Sequence, residues 1–303
     1  MAKSVNSSAN VRLQTLYIFR DTQTYCDKVN KDSSKAIQKR DHEPVVIETK
    51  KGVIEGILRT PGEQSKSVVI IAPGLPIGMY DSGRMEEIYQ TLAKHLKFAG
   101  ISTLIFNYWD VTPNLDKFNR VSLGSATRDL CTVVSHAGRA FDNIGIVGEG
   151  LGGMVAGEAF GKWSMPHRDK IKAVAFWYVP TKIPNVENLY VKIGKQPYSF
   201  TKVNRTGFKI RDKLIYDLRD FDPRVAFGSI ECPVMILYGG ADRLVGRVEA
   251  ERLATYIRPE KKLVEVAGGD YAFKTPDGKD VVVEHVLTAL TVTVDWFQKH
   301  LRS

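Results

Sequence analysis

The chain has 303 residues, 43% of them apolar and 25% charged, with a formal net charge of +9. This is an ordinary globular composition with ample material for a core; it excludes a low-complexity or repeat protein and fits one large α/β domain or two smaller ones. The positive balance admits an anionic substrate, an acidic partner or a nucleic-acid surface without choosing among them.

Residues 1 to about 44 lack periodicity and contain the polar, mostly basic stretch KVNKDSSKAIQKRDHEP, so the reading there is an N-terminal polar extension. From Pro44 two β-rich runs flank Lys51-Gly52, a hairpin signal. Ser67 to Ala72 (SVVIIA) reads as a buried strand, Met85 to Ala99 as a helix stopped by Gly100, and Ile101 to Tyr108 as another strand. Helices are expected at about Ser125 to Ala140, Leu151 to Gly161, Glu249 to Ile257 and Val281 to Leu301. Strands are expected at Ile171 to Val179, Pro233 to Tyr238 and Lys262 to Val266. Such alternation predicts an α/β fold: a mostly parallel sheet with helices on both faces and a leading antiparallel hairpin. The alternation fails for about 50 residues after Val179, which makes 180–231 an insertion between core segments 45–179 and 232–303.

No apolar run reaches the roughly 20 residues of a membrane helix, and no apolar leader for secretion is present. The three cysteines, Cys26, Cys131 and Cys232, have no metal-type spacing, and their odd number suits a reducing, cytoplasmic setting.

The most informative stretch is Asn143 to Met154, NIGIVGEGLGGM, a buried strand followed by a glycine turn and a helix start. Gly148-Glu149-Gly150-Leu151-Gly152 resembles the G-x-S-x-G nucleophile elbow of the α/β-hydrolase family, with Gly150 at the serine position. The resemblance covers roughly residues 45 to 302 and implies the α/β-hydrolase fold with 180–231 as an inserted lid. It also implies that the strand-end loop Pro73-Gly74-Leu75-Pro76 lends a backbone N–H to an oxyanion hole, with Leu75 the better donor and Leu151 N–H the second. Within Leu237 to Val245, Asp242 matches the acid of the family's triad. Within Val264 to Phe273, Asp270 stands where relatives place the histidine; of the six histidines only His285 is near.

An acyl-enzyme needs an activated oxygen or sulfur nucleophile, and the elbow offers none. What the turn retains is backbone N–H groups at a helix N-terminus, suited to an anion or a carbonyl. Glu149, Asp242 and Asp270 form a candidate carboxyl set in which crowding raises one pKa, so that one group serves as acid and another as base. Gly74, Leu75, Gly150, Leu151, Trp177, Tyr178 and Tyr271 are the candidate substrate-binding residues. Glu149 as a carboxylate nucleophile falls one residue out of register. The insertion interleaves Lys192, Lys195, Lys202, Arg205, Lys209 and Arg211 with Tyr190, Tyr198, Phe200 and Phe208, as expected of a lid over a partly apolar substrate with an anionic tail or a carrier-linked acyl group.

No nucleic-acid motif, cofactor motif or metal site is identified. The leading expectation is a lyase, isomerase, cyclase or decarboxylase acting on a carbonyl compound. A noncatalytic ligand-binding descendant and an esterase or thioesterase with an unidentified nucleophile are the alternatives.

Overall fold

The apolar runs become strands of one eight-stranded sheet: Ser67–Ala72, Asn143–Glu149, Ile171–Trp177 and Val234–Gly239 are buried along almost their whole length, as parallel strands covered on both faces are, whereas Glu43–Thr49 and Lys261–Val266 at the two edges are largely exposed. The computed structural model describes residues 42–62, 65–74, 82–108, 121–183, 192–193, 200–202, 209–273 and 282–302, all within a unit spanning Asp41–Ser303. Residues 1–41 of the N-terminal extension, Leu75, Pro76, and Tyr190, Lys195, Tyr198, Arg205 and Phe208 of the insertion lie outside the described residues, and the end of the expected extension, from Glu43, already belongs to the first strand.

The strands are β1 (Glu43–Thr49), β2 (Gly52–Arg59), β3 (Ser67–Ala72), β4 (Ser102–Phe106), β5 (Asn143–Glu149), β6 (Ile171–Trp177), β10 (Val234–Gly239) and β11 (Lys261–Val266). Their spatial order is β1-β2-β4-β3-β5-β6-β10-β11. The hairpin β1–β2 and the β2–β4 pair are antiparallel, and every pairing from β4 to β11 is parallel. Within the insertion, β7 (Lys192–Ile193), β8 (Phe200–Lys202) and β9 (Lys209–Arg211) form a separate three-stranded antiparallel sheet.

Helices cover both faces. Against one face lie α1 (Ser82–Phe98) and α7 (Val283–Leu301), burying Leu92, Leu96, Leu290 and Phe297 against Val69, Val147 and Ala175. Against the other lie α2 (Leu123–Ala140), α3 (Leu151–Gly161), α4 (Asp212–Arg219), α5 (Pro223–Gly228) and α6 (Arg247–Tyr256). Leu214, Leu218 and Phe227, which fall inside the 180–231 insertion, belong to that second core cluster. The two-residue alternation of a strand sorts β5 between the layers: Ile144 and Ile146 face the α2–α3 side, Val147 the α1–α7 side.

Where β5 passes into α3 the backbones touch. A Cβ on Gly152 would press on the Ala72 and Pro73 carbonyl oxygens, at 2.5 Å from the latter, and one on Gly148 would stand 2.7 Å from the Gly153 Cα. Both obstacles are main chain and cannot swing aside. Replacing Gly152 with alanine is therefore expected to lower the unfolding free energy by about 3 kcal/mol, the upper end for overpacking. Urea denaturation checks this, and an unchanged midpoint would contradict the close contact.

Candidate active site

The parallel strands β3, β5, β6, β10 and β11 all end on one edge of the sheet, and the loops leaving those ends converge, as in open α/β sheets that bind ligands at the carboxyl ends of their strands. Gly74 follows β3, Glu149 and Gly150 close β5, Tyr178 follows β6, Asp242 follows β10, and Asp270 and Tyr271 follow β11. Gly150 caps α3 with φ 51° and ψ −119°, a turn that glycine enters without strain. Its N–H donates to the Trp177 carbonyl at 2.8 Å, which locks the turn onto β6.

Glu149 shares the strand parity of Val147, so its side chain enters the α1–α7 side. It is buried, 4% exposed, and no cation approaches it among the described residues. Two phenols satisfy it. Tyr271 Oη donates to Oε1 at 3.0 Å, and Tyr89 Oη, on α1, donates to Oε2 at 3.1 Å. The Gly74 N–H faces the same carboxyl, and a Cβ at Gly74 would collide with Oε2. Burial pushes the Glu149 pKa up, and these three donors oppose the rise without cancelling it. In turn, burial and the adjacent carboxylate hold the Tyr89 hydroxyl well above its usual range.

Tyr271 also answers for the elbow. A Cβ built on Gly150 would lie 2.5 Å from Tyr271 Oη, so a phenolic oxygen stands where the turn would otherwise present a side chain.

Asp242 is 8% exposed. Its Oδ1 accepts from the Leu244 and Val245 N–H groups at 2.7 and 3.0 Å, while its buried Oδ2 has no hydrogen-bond partner among the described residues. Burial raises its pKa against those two bonds, and nearby Asp270 raises it further. Asp270 accepts the Tyr271 N–H at 2.8 Å. Tyr178 lies beside this pair with its ring 5.5 Å from that of Tyr271 and 5.1 Å from that of Phe273. Both Tyr178 (φ 52°) and Phe273 (φ 64°) hold left-handed backbone, a conformation that costs a non-glycine residue of order 1 kcal/mol.

No protein-family model and no curated protein sequence matches the chain. Solved structures do. It superposes on the esterase domain of a Rhodothermus marinus protein with a TM-score of 0.63 at 16% identity, over 86% of this chain and 99% of that one. Est1E from Butyrivibrio proteoclasticus gives 0.65 at 15%, over 85% and 98%. A dienelactone hydrolase from Anabaena variabilis gives 0.58 at 16%, over 86% and 98%. The chain has the α/β-hydrolase fold. At these identities the likeness carries the architecture alone.

On that fold the structure brings together Glu149, Gly150, Gly74, Tyr271 and Tyr178, with Asp242 and Asp270 adjoining. Leu151 opens α3 and, as its first residue, has no intrahelical acceptor for its N–H. Trp177 is not brought to the site: it is fully buried on the α7 side, where its indole N–H donates to Thr293 Oγ1 at 3.0 Å, and it packs as a core residue. His285 reaches Gly268, its Nε2 3.7 Å from where a Cβ would stand there. No hydrogen bond joins it to Asp242 or Asp270 among the described residues.

Tyr89 is the site residue that sequence reasoning missed. Its position in an amphipathic helix reads as core, and nothing local signals a partner 60 residues away. The described residues contain no His, Cys, Asp and Glu group able to hold a metal, and no helix among them is long and apolar enough to cross a membrane.

The raised Glu149 pKa has a definite sign. Below its unfolded value of about 4.3 both states are protonated, and the burial costs no charge. As pH rises through the higher folded value, the native state must bury a carboxylate that the unfolded state ionises freely, so stability falls. Relative to wild type, Glu149→Gln is therefore expected to gain melting temperature as pH rises above about 4.3 and through the higher folded value, and to keep that gain beyond it. A difference that does not change with pH would contradict the burial.

Proposed function

We propose that this protein cleaves a small ester or lactone, with Glu149 as general base and the N-terminus of α3 as the oxyanion site. The observation that carries this reading is the hydrogen-bonded Glu149–Tyr271 pair at an elbow whose own residue is glycine. A buried carboxyl with a raised pKa is a stronger base than an exposed one once it is ionised, and it lies within proton-transfer reach of a group at the elbow. Developing negative charge on the carbonyl oxygen falls near Leu151 N–H at the positive end of the helix dipole. The solved structures that share the fold include esterases and a dienelactone hydrolase. They favour hydrolysis over the lyase, isomerase, cyclase or decarboxylase chemistry that the same carboxyls would also serve.

In this reading Asp242 and Asp270 supply a carboxyl pair beside Glu149, and the cations of the insertion ahead of α4 suit an anionic tail of the substrate. A noncatalytic receptor is the second reading. It is favoured by the Gly74 N–H, which faces Glu149 and so is turned to the protein's own carboxyl instead of to a substrate oxygen.

Hydrolysis of p-nitrophenyl butyrate and of a simple aryl lactone tests the proposal. Wild type is expected to turn both over, and Glu149→Gln to lose about 100-fold or more in kcat. Because the working base is the ionised form, the rate should rise with pH through a value above the ordinary carboxylate range of about 4.3. Buffer-level rates in wild type would leave the receptor reading; equal rates in wild type and Glu149→Gln would remove the base.

A further inference from the structure

We propose that Tyr271 is the nucleophile of this site, and that the reaction passes through an acyl-tyrosine held at the elbow. The inference rests on the ester-cleavage reading and names the atom that attacks.

Position argues for it first. The elbow of this fold presents one side-chain oxygen in front of a helix N-terminus; here Gly150 contributes none, and Tyr271 Oη comes within 2.5 Å of the missing Cβ. The hydroxyl approaches from the β11 loop instead of from the turn, yet it arrives at the same place. Activation argues for it second. Its proton points at Glu149 Oε1 over 3.0 Å, the geometry of a nucleophile and its base.

The competitors fail on location or access. Cys131 and Cys232 sit in α2 and just ahead of β10, away from the elbow, and burial pushes their thiols up to about 11 and about 12. Tyr89, the other phenol on Glu149, is 4% exposed on the sheet-facing side of α1, and Tyr178 is fully buried. Tyr271, unlike those two phenols, is partly exposed.

The steps balance. The Tyr271 oxygen bonds to the carbonyl carbon as its proton passes to Glu149, and the oxyanion forms beside Leu151 N–H. When the carbonyl reforms, the bond to the leaving group breaks and the leaving group departs with the proton from Glu149. Water then attacks the acyl-tyrosine, giving its proton to Glu149, and the phenolate of Tyr271 recovers that proton as the acid is released. The sum is ester plus water to acid plus alcohol.

A phenol nucleophile also restricts the substrate. Tyrosine ionises at about 10, so acyl transfer onto it is downhill only from leaving groups of similar or lower pKa. That selects aryl esters, enol esters and enol lactones, and thioesters, whose thiols ionise near 8.5. Simple alkyl esters, whose alkoxides are far poorer leaving groups, are excluded.

The test uses the full chain with phenyl, p-nitrophenyl, ethyl and thioester derivatives of butyric acid. The expected results are a butyryl adduct on the Tyr271 peptide after acid quench and a burst of p-nitrophenol approaching one equivalent. With added methanol, the ratio of methyl ester to acid should not depend on the leaving group, even where deacylation is too fast for an adduct to accumulate. Tyr271→Phe should lose both adduct and turnover, by about 100-fold or more, with the native near-UV circular dichroism retained at the assay temperature, and ethyl butyrate should not be cleaved.

Turnover that needs Glu149 but survives Tyr271→Phe, with a methanol ratio that varies with leaving group, would overturn the acyl-tyrosine and leave direct attack by water. An adduct on another residue would overturn it as well. Absence of turnover on every ester would bring down the ester-cleavage reading and this inference with it.

Discussion

Contact between the end of β3 and the first turn of α3 is the constraint on which the rest of the structure depends. The Ala72 and Pro73 carbonyls lie against Gly152, and Gly148 lies against Gly153, so closely that no side chain fits at 148 or 152. The contact drives the chain through a sharp turn at Gly150, starts α3 at the carboxyl edge of the sheet and aims its first N–H groups outward. Everything near the site is placed by that turn: Glu149 on one side of the sheet, Leu151 at the helix start, and the β3 loop across from both.

Given the turn, the carboxyl of Glu149 sets the chemistry. It points toward the α1–α7 layer, where no cation awaits it among the described residues, and a buried carboxyl without a counter-charge must be hydrogen-bonded or stay neutral. Tyr89 from α1, Tyr271 from the β11 loop and the Gly74 N–H meet that requirement together. The same requirement explains two glycines. Gly74 has no room for a side chain beside Oε2, and a side chain at position 150 would meet the Tyr271 hydroxyl. Glycine at the elbow and tyrosine after β11 are thus complementary parts of one arrangement, with the carboxyl pair Asp242 and Asp270 next to it.

Much of this was legible in the sequence, and the reasons are physical. Runs such as SVVIIA and PVMILY are continuous and apolar because parallel strands are buried on both faces, so β3 and β10 are found to within a residue. The convergence of residues 74, 149, 242 and 270 follows from the strand order, since each immediately follows or closes a parallel strand. Side-chain direction was harder. Trp177 has the parity of Ala173 and Ala175 and so turns to α7, whereas Tyr178, one residue on and past the strand end, turns to the site. Tyr89 was out of reach because a helix pattern gives a buried face without giving the strand end that it covers. The spacing G-x-G-x-G marks the turn but does not say that a phenol from 122 residues away would fill it.

The central claim is that Glu149 is a buried, phenol-held carboxyl. The most direct measurement is a carbon-13 NMR titration of the glutamate side-chain carboxyls in wild type and in Tyr271→Phe, with the Glu149 resonance assigned by Glu149→Gln. The account predicts that Glu149 titrates above the ordinary value of about 4.3 in wild type, and higher still in Tyr271→Phe, where one donor to the carboxylate is gone. A Glu149 that titrates at the ordinary value, and does not respond to loss of the Tyr271 hydroxyl, would contradict it.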